Sequence, residues 1–406
     1  MIKFSALIIL FIISTICYSQ NSKIEKKASE IHDKVLTIDS HTDTPLRFLD
    51  SSFDVGKNDK DYTGKVNLPM MKEGGLDAVF FAVFLGQRDR TKEGNEKAKK
   101  DALEIFDAIY NKIAEYPELA EIATSSDDAY RIEKTGKRAI YIGIENGFPI
   151  GNDTSNIPMF YKLGARYITL CHTKNNDICD SSTDSLEHGG LSEFGKLVVE
   201  KMNEIGMMID VSHISDNAFY DVIELSKAPV IASHSCSRAI CNNPRNLSDK
   251  MLKKLAENGG VIQMCILSDY VKEIEQDTNR INAQNALRVK YKGFKDLSDK
   301  ERNAAIKEWY GIDDIYPARL AKVKDVVDHI DHIIEVIGIN HVGIGTDFDG
   351  GGGVEDCFDV SQMKNITIEL VKRGYTEEDI RKIWGGNFIR VFRAVEELSL
   401  PAVGRN

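Results

Sequence analysis

The chain has 406 residues, 28% of them charged, and a formal net charge of −11 at pH 7. Nucleic-acid binding requires clustered Lys and Arg, so this acidic balance and the lack of a basic tract argue against a nucleic-acid partner. The length exceeds the roughly 250 residues of a minimal (β/α)8 barrel, but it suits one large domain with insertions better than two domains.

The N-terminus has the pattern of an export signal. A short basic start precedes an apolar run over residues 6–16, which is too short for a comfortable membrane span. Small residues then precede Gln20, so we expect residues 1–19 to be removed and the mature chain 20–406 to be periplasmic or secreted. Acylation of Cys17, as in a lipoprotein, is the alternative that we rank second. The mature chain contains no apolar run long enough for a transmembrane segment.

Strand-like and helix-like segments alternate along the mature chain, which predicts a parallel sheet covered by helices. Several candidate strands are nearly continuous apolar runs, as expected for strands that are buried on both faces. The predicted strands are 35–40, 77–84, 138–144, 166–171, 207–212, 229–233, 260–267 and 341–346. The clearest predicted helices are Asn95–Tyr116, Ser192–Ile205, Asp216–Ser226 and Ser248–Asn258. Eight strands in this order predict a TIM barrel, whose strand ends meet at one mouth.

The first predicted strand leads into His41-Thr42-Asp43. Side chains two residues apart on a strand point the same way, so His41 and Asp43 can bind one metal ion together. The third predicted strand leads into Glu145, a carboxylate that can place one oxygen on each of two metal ions about 3.5–4 Å apart. The alternative role for Glu145 is that of a helix cap at the strand end.

Histidines close the fourth, fifth and sixth predicted strands. His172 ends the fourth strand, and because other strand ends already offer enough ligands, we expect it to stabilise negative charge on a substrate oxygen. His213 and His234 end the next two strands, with one helix between them. Neighbouring barrel strands would place these two side chains close together, so we expect them to share a second metal ion.

Two features follow the histidine strands. Arg245 lies near the predicted mouth, where a guanidinium can bind a carboxylate bidentately, although a loop arginine is more often a surface residue. Residues 271–318, between the seventh and eighth strands, form a polar and largely helical-looking insertion. Such an insertion either lies over the mouth and shapes substrate access or decorates the periphery, and both placements suit this sequence.

The eighth predicted strand leads into Asp347. In a binuclear hydrolase, a carboxylate at this position suits a group that orients the bridging hydroxide and accepts its proton. Asp349 is the rival, and we favour Asp347 because it comes first after the apolar run. Gly350–Gly353 lacks the Lys-Ser/Thr of a phosphate-binding loop, so we expect a flexible loop beside the site.

The remaining histidines and cysteines show no comparable placement. His329 and His332 are three residues apart on a helix-like stretch, where we expect an exposed, charged face and not a metal site. The mature chain has no CxxC pair, so we expect free or occasionally paired core cysteines. The six cysteines concerned are Cys171, Cys179, Cys236, Cys241, Cys265 and Cys357.

With these residues assembled, the chain resembles the membrane dipeptidase (renal dipeptidase) family of zinc peptidases, in the amidohydrolase superfamily. The resemblance covers nearly the whole mature chain. Its most specific motifs are Ile209-Asp210-Val211-Ser212-His213, Ser233-His234-Ser235 with Arg245-Asn246, and Gly345-Thr346-Asp347-Phe348-Asp349-Gly350.

The resemblance implies a (β/α)8 barrel that binds two zinc ions and hydrolyses dipeptides, including those with a C-terminal D-residue. His41 and Asp43 would bind the first zinc ion, His213 and His234 would bind the second, and Glu145 would bridge them. The expected partners are a small dipeptide substrate and, as an open alternative to a monomer, a second copy of the chain.

The resemblance also assigns roles around the metal ions. His172 would contact the scissile carbonyl, Arg245 would bind the C-terminal carboxylate of the dipeptide, and Asp347 would contact the water that bridges the two zinc ions.

Two alternatives to a dipeptidase stay open. The first is another binuclear amidohydrolase acting on a lactam, an N-acyl amino acid or a phosphoester. Phosphotriesterase-like relatives, however, commonly bridge their metal ions with a carboxylated lysine where this chain has Glu145. The second, which we rank lower, is a non-catalytic periplasmic binding protein, which would have no need of five ligands and Asp347.

Overall fold

The structure, a computed structural model, describes residues 22–399 apart from residues 51, 59–63, 276, 295, 296 and 298. Within these residues nine short strands form one parallel sheet, and eight of them follow one another around a barrel in chain order. The strands are β1 Ile38–Thr42, β2 Ala78–Phe84, β3 Ala120–Ile122, β4 Arg138–Glu145, β5 Ala165–Thr169, β6 Met208–Asp210, β7 Ile231–Ser235, β8 Val261–Met264 and β9 Val342–Ile344. The short β3 pairs with the start of β4, outside this circuit.

The barrel closes between its first and last strands. The amide of Asp347 donates to the carbonyl of His41 at 3.0 Å, and the amide of Asp43 donates to the carbonyl of Phe348 at 2.9 Å. These hydrogen bonds join the ends of β1 and β9, so two candidate site segments that are far apart in sequence become neighbours. The predicted TIM barrel is confirmed.

Helices follow the barrel strands and cover them. The described helices are α1 22–32, α2 Leu68–Gly74, α3 Lys92–Ala114, α4 Asp128–Glu133, α5 Asn156–Lys162, α6 Glu193–Ile205, α7 Asp216–Leu225, α8 Asp249–Glu257, α9 Ser268–Val271, α10 Thr278–Lys290, α11 Asp299–Ile315, α12 Val323–Ile337, α13 Lys364–Lys372, α14 Glu377–Arg381 and α15 Asn387–Leu398. Serine side chains cap α6, α7 and α8, since Ser192, Ser215 and Ser248 each accept a hydrogen bond from the amide three residues on.

Aromatic side chains fill the barrel beneath its mouth. Side chains alternate along a strand, so Tyr141 of β4 points into the barrel and Glu145, four residues later, does so at the mouth. Phe80 stacks on Tyr141 with ring centroids 4.7 Å apart, and Tyr167 packs on Phe80 at 5.4 Å. Phe388 of α15 packs edge-on against Phe80 at 5.2 Å. Burial of each such ring contributes roughly 1.5–3 kcal/mol to the free energy of folding. The site therefore lies on a well-packed aromatic layer.

All eight predicted strands are present, and their ends differ from the predicted ones by up to three residues. The first strand starts at Ile38, three residues later than expected. β3 was not predicted, because a strand of three residues shows no recognisable pattern.

The insertion over 271–318 is helical, as predicted, and carries α10 and α11. Residues of α10 border a cleft of about 220 Å³ that is also lined by Gly351 and Gly353, which follow β9. The insertion therefore lies beside the barrel mouth, which is the placement expected of a segment that shapes substrate access.

His329 of α12 is buried, so the expected exposed face was wrong for this residue. Its Nδ1 accepts a hydrogen bond from the amide of Ser237 at 3.0 Å, and its Nε2 donates to the carbonyl of Val271 at 2.7 Å. His332 instead lies 2.8 Å from Asp249. The two rings face different partners, because spacing along a helix does not show which side packs against the rest of the protein.

The six cysteines of the described residues are all free and buried, in agreement with the expected core cysteines. The predicted export signal over 1–19, including Cys17, lies outside the described residues. In the described part of the chain, no helix combines the length and the apolar character needed to cross a bilayer.

Candidate metal centre

Five buried side chains with metal-binding atoms meet at the mouth of the barrel. They come from the ends of β1, β4, β6 and β7, because parallel strands of a barrel end at one face. The exposed fractions are 0% for His41, 6% for Asp43, 2% for Glu145, 5% for His213 and 1% for His234. The structure thus brings together the five residues that we expected to bind metal.

Glu145 lies at the centre of this cluster and presents one oxygen to each side. Its Oε1 is 3.0 Å from Nε2 of His213 and 3.3 Å from Nε2 of His234. Its Oε2 is 3.5 Å from Nε2 of His41, which in turn lies 3.8 Å from Oδ1 of Asp43. This arrangement suits a carboxylate shared between two metal ions.

The chemistry of the cluster fits metal binding. Among the described residues, Nε2 of His41, Oδ1 of Asp43 and Oε2 of Glu145 are buried without a hydrogen-bond partner, which costs about 1–3 kcal/mol for each group unless something binds it. Nitrogen and carboxylate oxygen donors are the ligands that zinc takes in catalytic sites. Ligand atoms lie within 4.8 Å of one another in three sets: His41, Glu145 and His234; Glu145, His172 and His213; and His41, Asp43 and Asp347.

Burial also sets the charge states of the cluster. Removal from water raises the pKa of Glu145 to about 8, and it raises the pKa of Asp43 well above its usual value with a further contribution from Glu145. The same burial lowers the pKa of His213 and His234 well below that of a free histidine. Neutral imidazoles keep a lone pair for a metal ion, and a bound cation would favour the ionised carboxylates.

Asp347 lies next to the His41 side of the cluster. One of its carboxylate oxygens falls within reach of both His41 and Asp43, and burial raises its pKa to about 7. Its Oδ2 also accepts from the thiol of Cys265, with the heavy atoms 4.0 Å apart.

The rival carboxylate, Asp349, has other partners. It accepts hydrogen bonds from the hydroxyl of Thr44 at 2.9 Å, from Nε of Arg47 at 3.0 Å and from the amide of Lys65 at 3.0 Å. These contacts hold the loops after β1 and β9 together. Asp349 therefore supports the mouth, and Asp347 is the carboxylate that faces the ligands.

His172 lies at the edge of the cluster and is the most exposed of its histidines. Its Nε2 is 3.9 Å from Oε1 of Glu145, and 22% of its side chain is exposed, so a substrate can reach it. Its ring packs edge-on against Phe84 at 4.7 Å. Burial lowers the pKa of His172 to about 3, which leaves a neutral ring that can donate one hydrogen bond.

Arg245 is buried beside the cluster and not on the surface. Its Nη1 donates to Oγ of Ser235 at 3.1 Å, its Nη2 donates to the carbonyl of His234 at 2.9 Å, and its guanidinium lies 5.5 Å from the ring of Tyr270. Within the described residues its Nε has no partner and no carboxylate forms an ion pair with it. A buried cation without an acidic partner marks a place for an anionic group.

The loop Gly350–Gly353 lies beside this cluster, as expected. It is held by backbone hydrogen bonds from the amides of Gly350 and Gly352 to the carbonyl of Asp347, at 3.1 and 2.7 Å. The expected flexible loop is thus a hydrogen-bonded turn.

A family model described as membrane dipeptidase (peptidase family M19) matches residues 25–403, almost the whole chain. The chain belongs to the membrane dipeptidase family. It is therefore a metallo-dipeptidase, an enzyme that hydrolyses a peptide bond, and the resemblance predicted from the sequence is confirmed.

Individual members of the family are similar over most of their length. Dipeptidase tcpJ of Claviceps purpurea (strain 20.1) is 32% identical over 351 residues, which cover 85% of this chain and 72% of that protein. Dipeptidase 3 of Mus musculus is 33% identical over 383 residues, which cover 91% of this chain and 66% of that protein. The crystal structure of the probable dipeptidase PvdM from Pseudomonas aeruginosa has a TM-score of 0.80 and 32% identity, covering 93% of this chain and 100% of that chain.

Two site residues of this membrane dipeptidase lie in strained turns. His213 has a φ of 71° and Asp347 a φ of 62°, in the left-handed region that costs a non-glycine residue of order 1 kcal/mol. Both follow the end of a strand, where the turn redirects the side chain into the mouth. Strain of this kind persists where the surrounding structure enforces it, and it is common at active sites.

Three residues that hold the ligands from beneath were not predicted from the sequence of this dipeptidase. The hydroxyl of Tyr167 lies 2.7 Å from Nδ1 of His41, and the hydroxyl of Ser233 lies 2.8 Å from Nδ1 of His234. Asp210 in turn accepts from Ser233 at 2.6 Å. One signal was available, since Asp210 is a charged residue inside an apolar run and must be hydrogen-bonded there.

A wide cleft lies near the cluster. It has a volume of about 1040 Å³, with an apolar wall that includes Leu46 and Phe84 and a charged rim that includes Arg90 and Lys174. Phe84, in the wall of the cleft, contacts His172, so the cleft borders the edge of the site. A cleft of this volume is large enough to hold a small molecule.

Proposed function

We propose that this membrane dipeptidase family member is a zinc enzyme that binds two zinc ions and cleaves dipeptides with a free C-terminal carboxylate. The observation that carries the proposal is the position of Glu145, whose two oxygens face two separate ligand sets. Arg245 is buried nearby and has no acidic partner among the described residues, which supports the binding of a substrate carboxylate there. From the family resemblance we also propose that a D-residue is accepted at the C-terminal position.

The two zinc ions would supply a water whose pKa falls from about 15.7 to about 7, and a Lewis acid for the scissile carbonyl. Asp347 would take the proton of the attacking water and pass it to the leaving amine, as a general base and then a general acid. Burial raises the pKa of Asp347 to about 7 in the metal-free protein, and bound zinc ions would favour the ionised form that accepts the proton.

His172 and Arg245 would orient the substrate. The neutral ring of His172 would donate a hydrogen bond to the carbonyl oxygen as it gains negative charge. The guanidinium of Arg245 would bind the C-terminal carboxylate of the dipeptide. A carboxylate anchored close to the scissile bond would favour dipeptides over longer peptides.

An activity screen of the purified, zinc-loaded protein tests this proposal. The substrates are L,L-, L,D- and D,D-dipeptides, and N-acyl amino acids and a phosphotriester serve as controls. We expect L,L- and L,D-dipeptides to be hydrolysed with the highest kcat/KM. Faster hydrolysis of an N-acyl amino acid or of the phosphotriester than of every dipeptide would contradict it.

We also propose that the chain is exported. The support is the basic start and apolar run of residues 1–19. N-terminal sequencing of the protein recovered from an expressing bacterial host should find Gln20 first. A lipid on Cys17 would show the lipoprotein route instead, and an intact Met1 would contradict export.

A further inference from the structure

Asp210 carries a carboxylate that lies beneath the metal centre and accepts four hydrogen bonds. The amides of Ser212 and Ser233 donate to its Oδ1 at 3.0 and 2.8 Å. The hydroxyls of Thr169 and Ser233 donate to its Oδ2, the latter at 2.6 Å. The side chain is fully buried. Two amides and two hydroxyls thus direct their protons at one carboxyl group, so this group acts as the acceptor in all four hydrogen bonds.

The hydroxyl of Ser233 has a single proton, and its neighbours decide where that proton goes. Oδ2 of Asp210 is the nearest acceptor at 2.6 Å, whereas Oγ of Ser212 is 3.5 Å away. With its proton directed at Asp210, Ser233 can only accept a hydrogen bond from Nδ1 of His234, which lies 2.8 Å away. Nδ1 of His234 must then carry the ring proton.

A proton on Nδ1 leaves the lone pair of His234 on Nε2. That nitrogen is the one that faces the metal centre, 3.3 Å from Oε1 of Glu145 and 2.9 Å from Nε2 of His213. The chain of hydrogen bonds therefore makes Nε2 the ligand atom before any metal ion binds.

We propose that Asp210 and Ser233 are positioning residues that fix the tautomer and the ring orientation of His234 for zinc. The inference rests on the zinc site proposed above. His234 differs in this respect from its neighbour, because Nδ1 of His213 has no hydrogen-bond partner among the described residues. Asp210 thus fixes the ring of His234 through Ser233, whereas the Nδ1 of His213 has no such support within the described residues.

The simplest rival explanation is that the network only ties strands together. Asp39 is an example of a carboxylate that connects strands: it accepts from the amide and hydroxyl of Thr346 at 2.8 and 2.6 Å and from the amide of His41 at 3.2 Å, and within the described residues it has no hydrogen bond to a histidine ring. Thr169 provides the matched control, because its hydroxyl donates to the same oxygen of Asp210 but does not contact His234. Loss of the Thr169 hydroxyl removes a buried hydrogen bond but leaves the hydrogen bonds from Asp210 through Ser233 to His234 intact.

The test compares the full-length protein with Ser233→Ala, Ser233→Thr, Asp210→Asn and Thr169→Ala. Zinc affinity is measured by competition with a chromophoric chelator, and the histidine tautomer is measured by ¹⁵N NMR of metal-free protein labelled at histidine. We expect Ser233→Ala and Asp210→Asn to lower the affinity for one of the two zinc ions by about 10–100-fold. This is the range found when a ligating histidine loses its hydrogen-bond partner. Ser233→Thr, which keeps the hydroxyl, and Thr169→Ala should retain both affinities.

The NMR measurement distinguishes the two explanations more directly than the zinc affinity does. Two backbone amides face Oδ1 of Asp210, so the NH2 group of Asp210→Asn must occupy the Oδ2 side and donate to Ser233. The Ser233 proton would then turn to His234, and the ring should change from the Nδ1–H to the Nε2–H tautomer.

Two results would overturn the proposal. One is a loss of zinc affinity in Thr169→Ala as large as that in Ser233→Ala, which would indicate a purely structural network. The other is an unchanged tautomer in Asp210→Asn, or in Ser233→Ala if the asparagine variant does not fold, together with wild-type affinity for both zinc ions. If the wild-type protein shows the expected tautomer and binds two zinc ions but cleaves no dipeptide, only the proposed substrate is wrong.

Discussion

Asp347 and Asp349 are two residues apart, yet their carboxylates have different surroundings. Asp347 faces His41 and Asp43, and it is not one of the five proposed ligands. We expect Asp347→Asn to keep its zinc content and to lower kcat by about 10²–10⁴, the usual contribution of a positioned acid–base group. Steady-state kinetics and metal analysis of the same preparation check this, and full activity in the variant would rule out the assigned role.

Asp349→Asn is the matched control for this prediction. Asp349 forms a buried ion pair with Arg47 at 3.0 Å, so its neutralisation should lower the free energy of unfolding by about 3 kcal/mol. Because Asp349 does not face the ligands, kcat at a temperature where the variant is folded should change little. Chemical denaturation and kinetics separate the two effects.

Arg245 should determine the preference for a free carboxylate. In Arg245→Met, the ratio of kcat/KM for a dipeptide to kcat/KM for its C-terminal amide should fall by about 100-fold, which corresponds to ~3 kcal/mol for a lost charge-assisted contact. Arg238→Met is the control, since Arg238 pairs with Asp216 at 2.7 Å and should leave the ratio unchanged. An equal ratio in the wild type and in Arg245→Met would exclude the role.

The proposed ligands could be predicted from the sequence because each closes an apolar run, and barrel strands end at one face. The roles of the supporting residues could not, although Asp210 and Ser233 lie in two of the motifs that carry the family resemblance. The role of Ser233 follows only from the structure, in which its hydroxyl lies 2.8 Å from the His234 ring. A hydroxyl carries no pattern in a sequence, because its role depends on partners that the fold brings from other strands.

At the level of elements, strands could be predicted more reliably than their ends. The buried runs of β2 and β4 are continuous and apolar, so their positions follow from composition. The turns at His213 and Asp347 could not be predicted, because a positive φ is uncommon at any residue other than glycine, even at the histidines and aspartates that adopt it most often.

The turn after β9 gives a prediction of its own. A methyl group at Gly350 would overlap the carboxylates of Asp43 and Asp347. We therefore expect Gly350→Ala to displace both groups, to weaken zinc binding by at least about tenfold and to lower kcat while the barrel stays folded. Chelator competition and circular dichroism measure these outcomes.

Gly311→Ala is the control for Gly350→Ala. Gly311 lies in α11, and among the described residues a methyl group there meets no atom within 4 Å apart from its own helix backbone. The exchange should raise stability by about 0.5–1 kcal/mol, because alanine is the better helix former, and should leave zinc binding unchanged. Equal losses of zinc affinity in the two variants would contradict the proposed contact at Gly350.

At the scale of the whole molecule, closure of the barrel concentrates carboxylates that are far apart in the sequence. In the metal-free protein, burial raises the pKa of Glu145 to about 8 and that of Asp347 to about 7, whereas free carboxyls ionise near pH 4. The folded state therefore binds more protons than the unfolded chain, so its stability should fall as pH rises through these values.

The effect of the two carboxyls on stability can be measured without opposition from the histidines between about pH 6.5 and 8. Buried histidines such as His172, with a pKa of about 3, have the opposite effect, but only below the usual histidine value of about 6.5. Urea denaturation of metal-free protein should show a free energy of unfolding that falls across this window by up to ~1.4 kcal/mol per pH unit for each proton involved. Glu145→Gln should flatten the slope, and a rising free energy of unfolding in the metal-free wild type would contradict the raised pKa of these two carboxyls.

We propose that two zinc ions at this site make the chain a dipeptidase. The most direct measurement is a titration of the metal-free protein with zinc, in which bound zinc per chain and hydrolysis of an L,L-dipeptide are followed together. We predict no hydrolysis without zinc and a rate that rises until two zinc ions are bound per chain. Full activity at fewer than two zinc ions per chain, or no dipeptide hydrolysis with two bound, would contradict the claim.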